Sequence, residues 1–151
     1  MTIHTEGGAR PVRRRVALTA TDWQLLAAAA LAQVITAAAL RAMPLLSLRT
    51  RAARVRRLAQ MLMRGSEERV VWAIEATGRR LGNTSTCLVR AVVADLVLGS
   101  PEHPLCLTIG VRRAAGGPLE AHAWVARQDR VLVGAPPEDY VPLVGWDNFC
   151  A

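Results

Sequence analysis

The chain contains no lysine: all 19 basic residues are arginine. Together with many alanines and glycines, this suggests a GC-rich bacterial coding sequence. Aromatic residues make up only 4% of the 151 residues, with one Phe, one Tyr and four Trp. That scarcity disfavours a nucleic-acid binder, because single-stranded bases need aromatic platforms on which to stack. It also leaves the core to Ala, Leu and Val. Cysteine is sparse too, at Cys87, Cys106 and Cys150. An odd number without close spacing is no disulfide framework, and no CxxC or HxxxC pair offers zinc geometry. A reducing cytoplasm is the expected setting. The start "MTIHTEGGARPVRRR" is followed by no apolar run with a small-residue cleavage site, so a secretory signal is not expected. A Gly-rich phosphate loop is also lacking.

What is present is apolar and basic. Hydrophobic residues reach 52%, which excludes a disordered chain, and the net charge is +7. The length fits one modest unit. Residues 1–15 are polar and Arg-rich and are expected to form a disordered tail. A helical region is expected over 16–65 and a second region over 66–151. The run from Trp23 to Met43 reads as a helix capped by Thr21 or Asp22 and ended by Pro44. It reaches the length of a membrane span, but Gln24, Gln33, Thr36 and Arg41 interrupt it, which favours a buried or membrane-surface helix. In "LSLRTRAARVRRLAQMLMRG", Leu48, Ala52, Val55, Leu58, Ala59 and Leu62 recur at helical spacing with arginines between them. That is a basic amphipathic helix, either a solvated face or a docking surface for a partner or an anionic membrane. A third helix, "EERVVWAIEATGRRLG", turns Val70, Val71, Ile74 and Leu81 inward. A fourth, "TSTCLVRAVVADLVLGS", starts at a Ser85 or Thr86 cap.

Beyond residue 104 the pattern alternates. "PLCLTIGVRR", "LEAHAWVAR" and "RVLVG" read as strands, the last two forming a hairpin that turns at Gln128–Asp129. Helices first and an antiparallel sheet after them make the fold class α+β.

Two residues carry candidate chemistry. Cys87 follows "NTST" at the start of an apolar helix, where unpaired amides and the helix dipole favour negative charge on sulfur. The same amides can stabilise an oxyanion. Cys106 lies within a strand pattern and reads as a small buried hydrophobe, and Cys150 sits at the frayed C-terminus. A thiolate needs a base. His4 is in the tail and His103 in the loop "SPEHP", which leaves His122. A lone Cys and a lone His are more often structural than catalytic.

The motif "TCLVRA" (Thr86–Ala91), followed by "IGVRR…G…EAHAWV" (Ile109–Val125), resembles the B2 proteins of lasso-peptide biosynthesis. These are leader peptidases of the transglutaminase-like superfamily, and the similarity extends over roughly residues 20–145. The segment "ALRAMPLLSLRTRAARVRRL" is similar to the arginine-rich, proline-containing stretch those proteins carry. The resemblance implies a transglutaminase-like, papain-like cysteine peptidase core, with Cys87 as nucleophile and His122 as general base. Family members often add an Asp at the end of the strand after HAWV, and here Gly134 stands near that place. The residue opposite His122 in the hairpin falls near Gly134–Ala135. Asp139, or Glu138 as the alternative, could fold back to the imidazole, whereas Asp129 lies at the far turn. A backbone carbonyl could orient the ring instead. Trp124 shares the face of His122. Arg90 follows Cys87 by one turn and is available for substrate or a neighbouring carboxylate. Asn83 is either an oxyanion donor or a helix-end cap.

The resemblance further implies a ribosomally made precursor peptide as substrate. It implies a separate recognition-element protein that holds the leader, and a lasso cyclase as pathway neighbour. It implies no cofactor of the chain's own, although such systems are ATP-linked in the family. The setting would be cytoplasmic, or peripheral at the membrane. Two further readings share the residues: another transglutaminase-like amidase or acyltransferase, and a non-enzymatic basic membrane-associated binding protein.

Overall fold

The computed structural model describes residues 18–113, 117–136 and 139–146, with the side chain of Trp146 excepted. The expected tail over 1–15, Glu138 and Cys150 lie outside the described residues. Four α-helices precede an antiparallel sheet: α1 (Ala20–Ala42), α2 (Leu45–Leu62), α3 (Glu67–Leu81), α4 (Cys87–Leu98), β1 (Cys106–Arg113), β2 (Leu119–Arg127), β3 (Arg130–Val133) and β4 (Val141–Trp146). The fold is α+β, as expected from the order of the patterns.

Helix α1 begins earlier than the sequence suggested. Its cap is Thr19, and Asp22 closes a capping box by accepting from the Thr19 amide. Asp22 also pairs with Arg69 of α3. By length and composition α1 could cross a membrane. Its polar interruption has a different use. Gln33 is fully buried and donates to the Ile74 carbonyl at 3.2 Å and to Thr77 Oγ1 at 2.6 Å. Its amide oxygen accepts from Ser85 Oγ. One side chain thus ties α1 to α3 and to the residue before the Thr86 cap of α4. Gln33→Leu should destabilise the fold by about 1–3 kcal/mol, because Ser85 loses its buried acceptor. Urea unfolding measures this, and an unchanged midpoint would contradict it.

Helix α2 is the amphipathic helix that its pattern predicts, with much of its apolar stripe open to solvent. None of its residues is fully buried, and Val55, Leu58 and Leu62 are half or more exposed. Leu48 and Ala59 of the same stripe pack against the core. Two arginines of the helix also face the protein. Arg56 donates to the carbonyls of Asp95 at 3.0 Å and Gly99 at 2.6 Å, joined by Gln60 on Gly99. Arg49 reaches the buried Asp95 carboxylate at 3.3 Å. The C-terminal carbonyls of α4 need donors, and α2 supplies them.

The sheet order is β3-β2-β1-β4. Ala123 opposes Ile109 and Val125 opposes Leu107, and this face packs on the helices with Ile74, Val93 and Leu105 in one core. The core draws on α1 as well as on the sheet, with Leu25, Leu26 and Ala29 in the same cluster as Val133. The hairpin turns at Gln128, whose φ of 51° is left-handed. Strand β4 was not read from the sequence. It lies at the sheet edge, where Pro142 can sit without costing a ladder hydrogen bond.

Candidate active site

Cys87 is the first residue of α4. Thr86 caps the helix by accepting from the Val89 amide at 3.3 Å, a contact worth about 1 kcal/mol to such a terminus. No acidic residue occupies the first turn. The Cys87 thiol is half-buried and is the free cysteine among the described residues. Cys106 is half-buried at the start of β1 and disulfide-bonded. Its sulfur is therefore not a competing nucleophile, and the expectation of a simple buried hydrophobe gives way to a covalent one.

His122 lies near the start of β2, opposite Gly110 of β1. The Arg127 guanidinium donates to the Leu98 carbonyl at 3.0 Å, fixing the C-terminal end of α4 to the end of β2. From Leu98 back to Cys87 the helix covers about 16 Å. From Arg127 back to His122 the strand covers about the same distance. Helix α4 packs against β2. The thiol and the ring are not hydrogen-bonded to each other among the described residues. Alternation explains this. Ala123 and Val125 face the helices, whereas His122 shares the other side with Trp124.

The ring makes three contacts. Nε2 meets the Gly134 carbonyl at 2.9 Å. A carbonyl only accepts, so Nε2 carries the proton, and in the neutral ring Nδ1 keeps its lone pair. That is the tautomer a general base at Nδ1 requires. The Trp124 indole is stacked 6.4 Å from the imidazole and the Tyr140 ring is tilted at 5.5 Å. Trp124 covers Gly110, where an added Cβ would come within 2.6 Å of the indole. Glycine at 110 is what lets the indole lie flat there.

Asp139 sits in an exposed turn with a left-handed φ of 89°, near Arg112, whose proton is held chiefly by the hydrogen bond and charge of Glu120 and least by Asp139. It is not among the described contacts of the imidazole. Asp129 is exposed in the β2–β3 turn and His103 in the loop after α4. Asn83 lies exposed in the 3-10 turn Gly82–Thr84. Arg90 pairs with Glu75 of α3 at 2.8 Å, the neighbouring carboxylate its position allowed. The Gly134 carbonyl takes the place of the backbone acceptor that the sequence allowed, and three participants escaped the sequence reading: Glu75, Tyr140 and the Arg112–Glu120 pair. Glu75 alone left a trace, as a lone acid between apolar residues three positions before Gly78.

Arg112 and Glu120 face each other across β1 and β2 at 2.8 Å, and the Tyr140 hydroxyl donates to the same carboxylate at 3.3 Å. The hydrogen bond and charge of Arg112 hold the Glu120 carboxyl below the ordinary glutamate value. A depressed value in the folded state means the pair's contribution is full above the ordinary value. It is lost only as pH falls through the lower one. The Tyr140 contacts should therefore persist at pH 5, and the Glu120 carboxyl should titrate below about 4.3. An NMR titration of that carboxyl with a midpoint at or above the ordinary value would contradict the pairing.

No group of three or more His, Cys, Asp or Glu side chains among the described residues could hold a metal ion. The family described as the Transglutaminase-like superfamily matches residues 11–144. No curated protein and no solved structure matches the chain.

Proposed function

The chain belongs to the transglutaminase-like superfamily, whose members are generally cysteine-dependent enzymes, and on that premise we propose that it is a cysteine peptidase removing the leader from a ribosomally made lasso-peptide precursor. The observation that carries the reading is the pairing of "TCLVRA" with "EAHAWV". In these motifs the Cys opens a capped helix and the His ring has its Nε2 proton committed to a carbonyl. The Cys87 thiolate attacks the scissile carbonyl carbon. The C–N bond then breaks, and protonated His122 gives its proton to the departing amine. Water, deprotonated by the same imidazole, cleaves the thioester and restores the thiol.

The leader is held by a separate recognition-element protein, and the freed core passes to a lasso cyclase. The docking face lies on α1 and α2. There a groove of about 480 Å³ is lined by Leu31, Ile35, Val55, Leu58 and Leu62. Arg51, Arg54 and Arg57 are exposed along α2, which carries no carboxylate. That chemistry calls for a partially apolar, acidic protein surface. Arg51, Arg54 and Arg57 changed together to Glu should weaken co-purification with the recognition protein at least about tenfold. Arg56 is left in place because it holds α4. Unchanged co-purification, or a loss confined to binding of anionic liposomes, would remove this assignment.

The function itself is tested by incubating the protein with the precursor peptide and the recognition protein. Mass spectrometry should show a single cut at the leader–core junction. Transfer of the acyl group to an added amine without hydrolysis would instead identify an acyltransferase.

A further inference from the structure

Gly134 is the point at which the helix layer and the His122 ring meet. Its carbonyl accepts from His122 Nε2 at 2.9 Å, and its amide donates to Glu75 Oε1 at 3.3 Å. The other carboxylate oxygen of Glu75 accepts from Arg90 Nη1 at 2.8 Å. Arg90 stands one turn after Cys87 on α4. A single carboxylate on α3 thus joins the cysteine helix to the carbonyl that orients the histidine.

We infer that Glu75 is a positioning residue for His122, fixing the ring's tautomer by holding Gly134 from the helix side. The β2–β3 ladder ends with Val125 opposite Val133, so the Gly134 amide needs a partner from elsewhere. Glu75 supplies it. Two glycines make the arrangement feasible. Gly134 has a φ of 72°, and a Cβ there would lie 2.6 Å from the Ala123 carbonyl. A Cβ at Gly78 would lie 2.5 Å from Arg90 Cδ, so the Arg90 stem crosses α3 where no side chain obstructs it. If Gly134 moves, the Nε2–H···O bond weakens, and the neutral ring gains the Nδ1–H tautomer, which has no lone pair for the thiol proton.

The inference rests on Cys87 and His122 as the working pair, but not on a leader peptide as the substrate. The test is the 15N NMR signature of His122 at pH 8, with the alkylation rate of Cys87 by iodoacetamide measured alongside. Wild-type protein should show the Nε2–H form. Glu75→Ala should give a mixture of tautomers and slower alkylation. In the cleavage assay it should lower kcat by about tenfold to a hundredfold with KM little changed. Glu75→Gln leaves one acceptor oxygen for two donors, Gly134 N–H and Arg90, so it should fall between wild type and Glu75→Ala. Glu75→Asp keeps the charge but withdraws the oxygen by one methylene, so it should resemble Glu75→Ala. It also stands in if the alanine variant does not fold. A folded Glu75→Ala or Glu75→Asp protein with the His122 tautomer and Cys87 reactivity of wild type would overturn the inference. A wild-type protein that cleaves no leader but shows this Glu75-dependent tautomer would remove the peptidase reading and leave the positioning role intact.

Discussion

Replacing Cys87 by alanine is expected to abolish turnover while the chain stays folded. The thiol is half-buried at a helix start rather than in the middle of the core, so its removal costs little packing. The Thr86 cap that nucleates α4 is untouched. Loss of the nucleophile removes covalent catalysis altogether, which in triad-type enzymes leaves only the residual rate of binding and oxyanion stabilisation. Cys87→Ser should be nearly as inactive, since an ordinary hydroxyl is far less nucleophilic than a thiolate beside an imidazole. Cys106→Ala gives the contrast. It breaks a covalent link at the start of β1 and should lower stability while sparing the rate per folded molecule. Turnover by purified, folded protein, together with thermal unfolding, separates the two. Equal loss of activity from both substitutions at equal folded fraction would remove Cys87 from its role.

How legible this site was from the sequence depends on how local the deciding interaction is. Thr86 and Cys87 could be read because a helix cap is a matter of three or four residues. His122 could be placed on a strand because alternation on both sides of Gln128–Asp129 leaves few other conformations. The polar anchoring of α2 could not be read. Its apolar spacing was real, but Arg49 and Arg56 are drawn inward by Asp95 and Gly99, some forty residues on, whose polar groups cost more to leave unpaired than Val55 or Leu58 cost to leave exposed. Gln33 looked like a flaw in an apolar run and is the hydrogen-bonding hub beneath α4. Strand β4 was hidden by Pro142 and Gly145, residues tolerated at a sheet edge. The Glu75–Gly134 contact spans 59 residues, and no periodicity announces it.

The histidine carries the second large effect. His122→Gln should lower kcat/KM by about a thousandfold or more, because the amide cannot cycle a proton between thiol, leaving amine and water. The fold should survive. The ring is only half-buried, and glutamine can still donate to the Gly134 carbonyl. The third member of the site is then decided by comparison with Asp139. Asp139 is exposed and lies on the Arg112 side of the cluster, whereas the imidazole proton already has a backbone acceptor. Asp139→Asn should therefore cost less than about threefold, within the usual range for a surface charge away from the reacting atoms. A carboxylate that oriented the ring and stabilised the imidazolium would cost far more when neutralised. Kinetics of both variants across pH 5 to 9 distinguish the cases. A loss for Asp139→Asn approaching that of His122→Gln would mean that the Asp139 carboxylate reaches the ring during turnover and that the Gly134 carbonyl only holds it at rest.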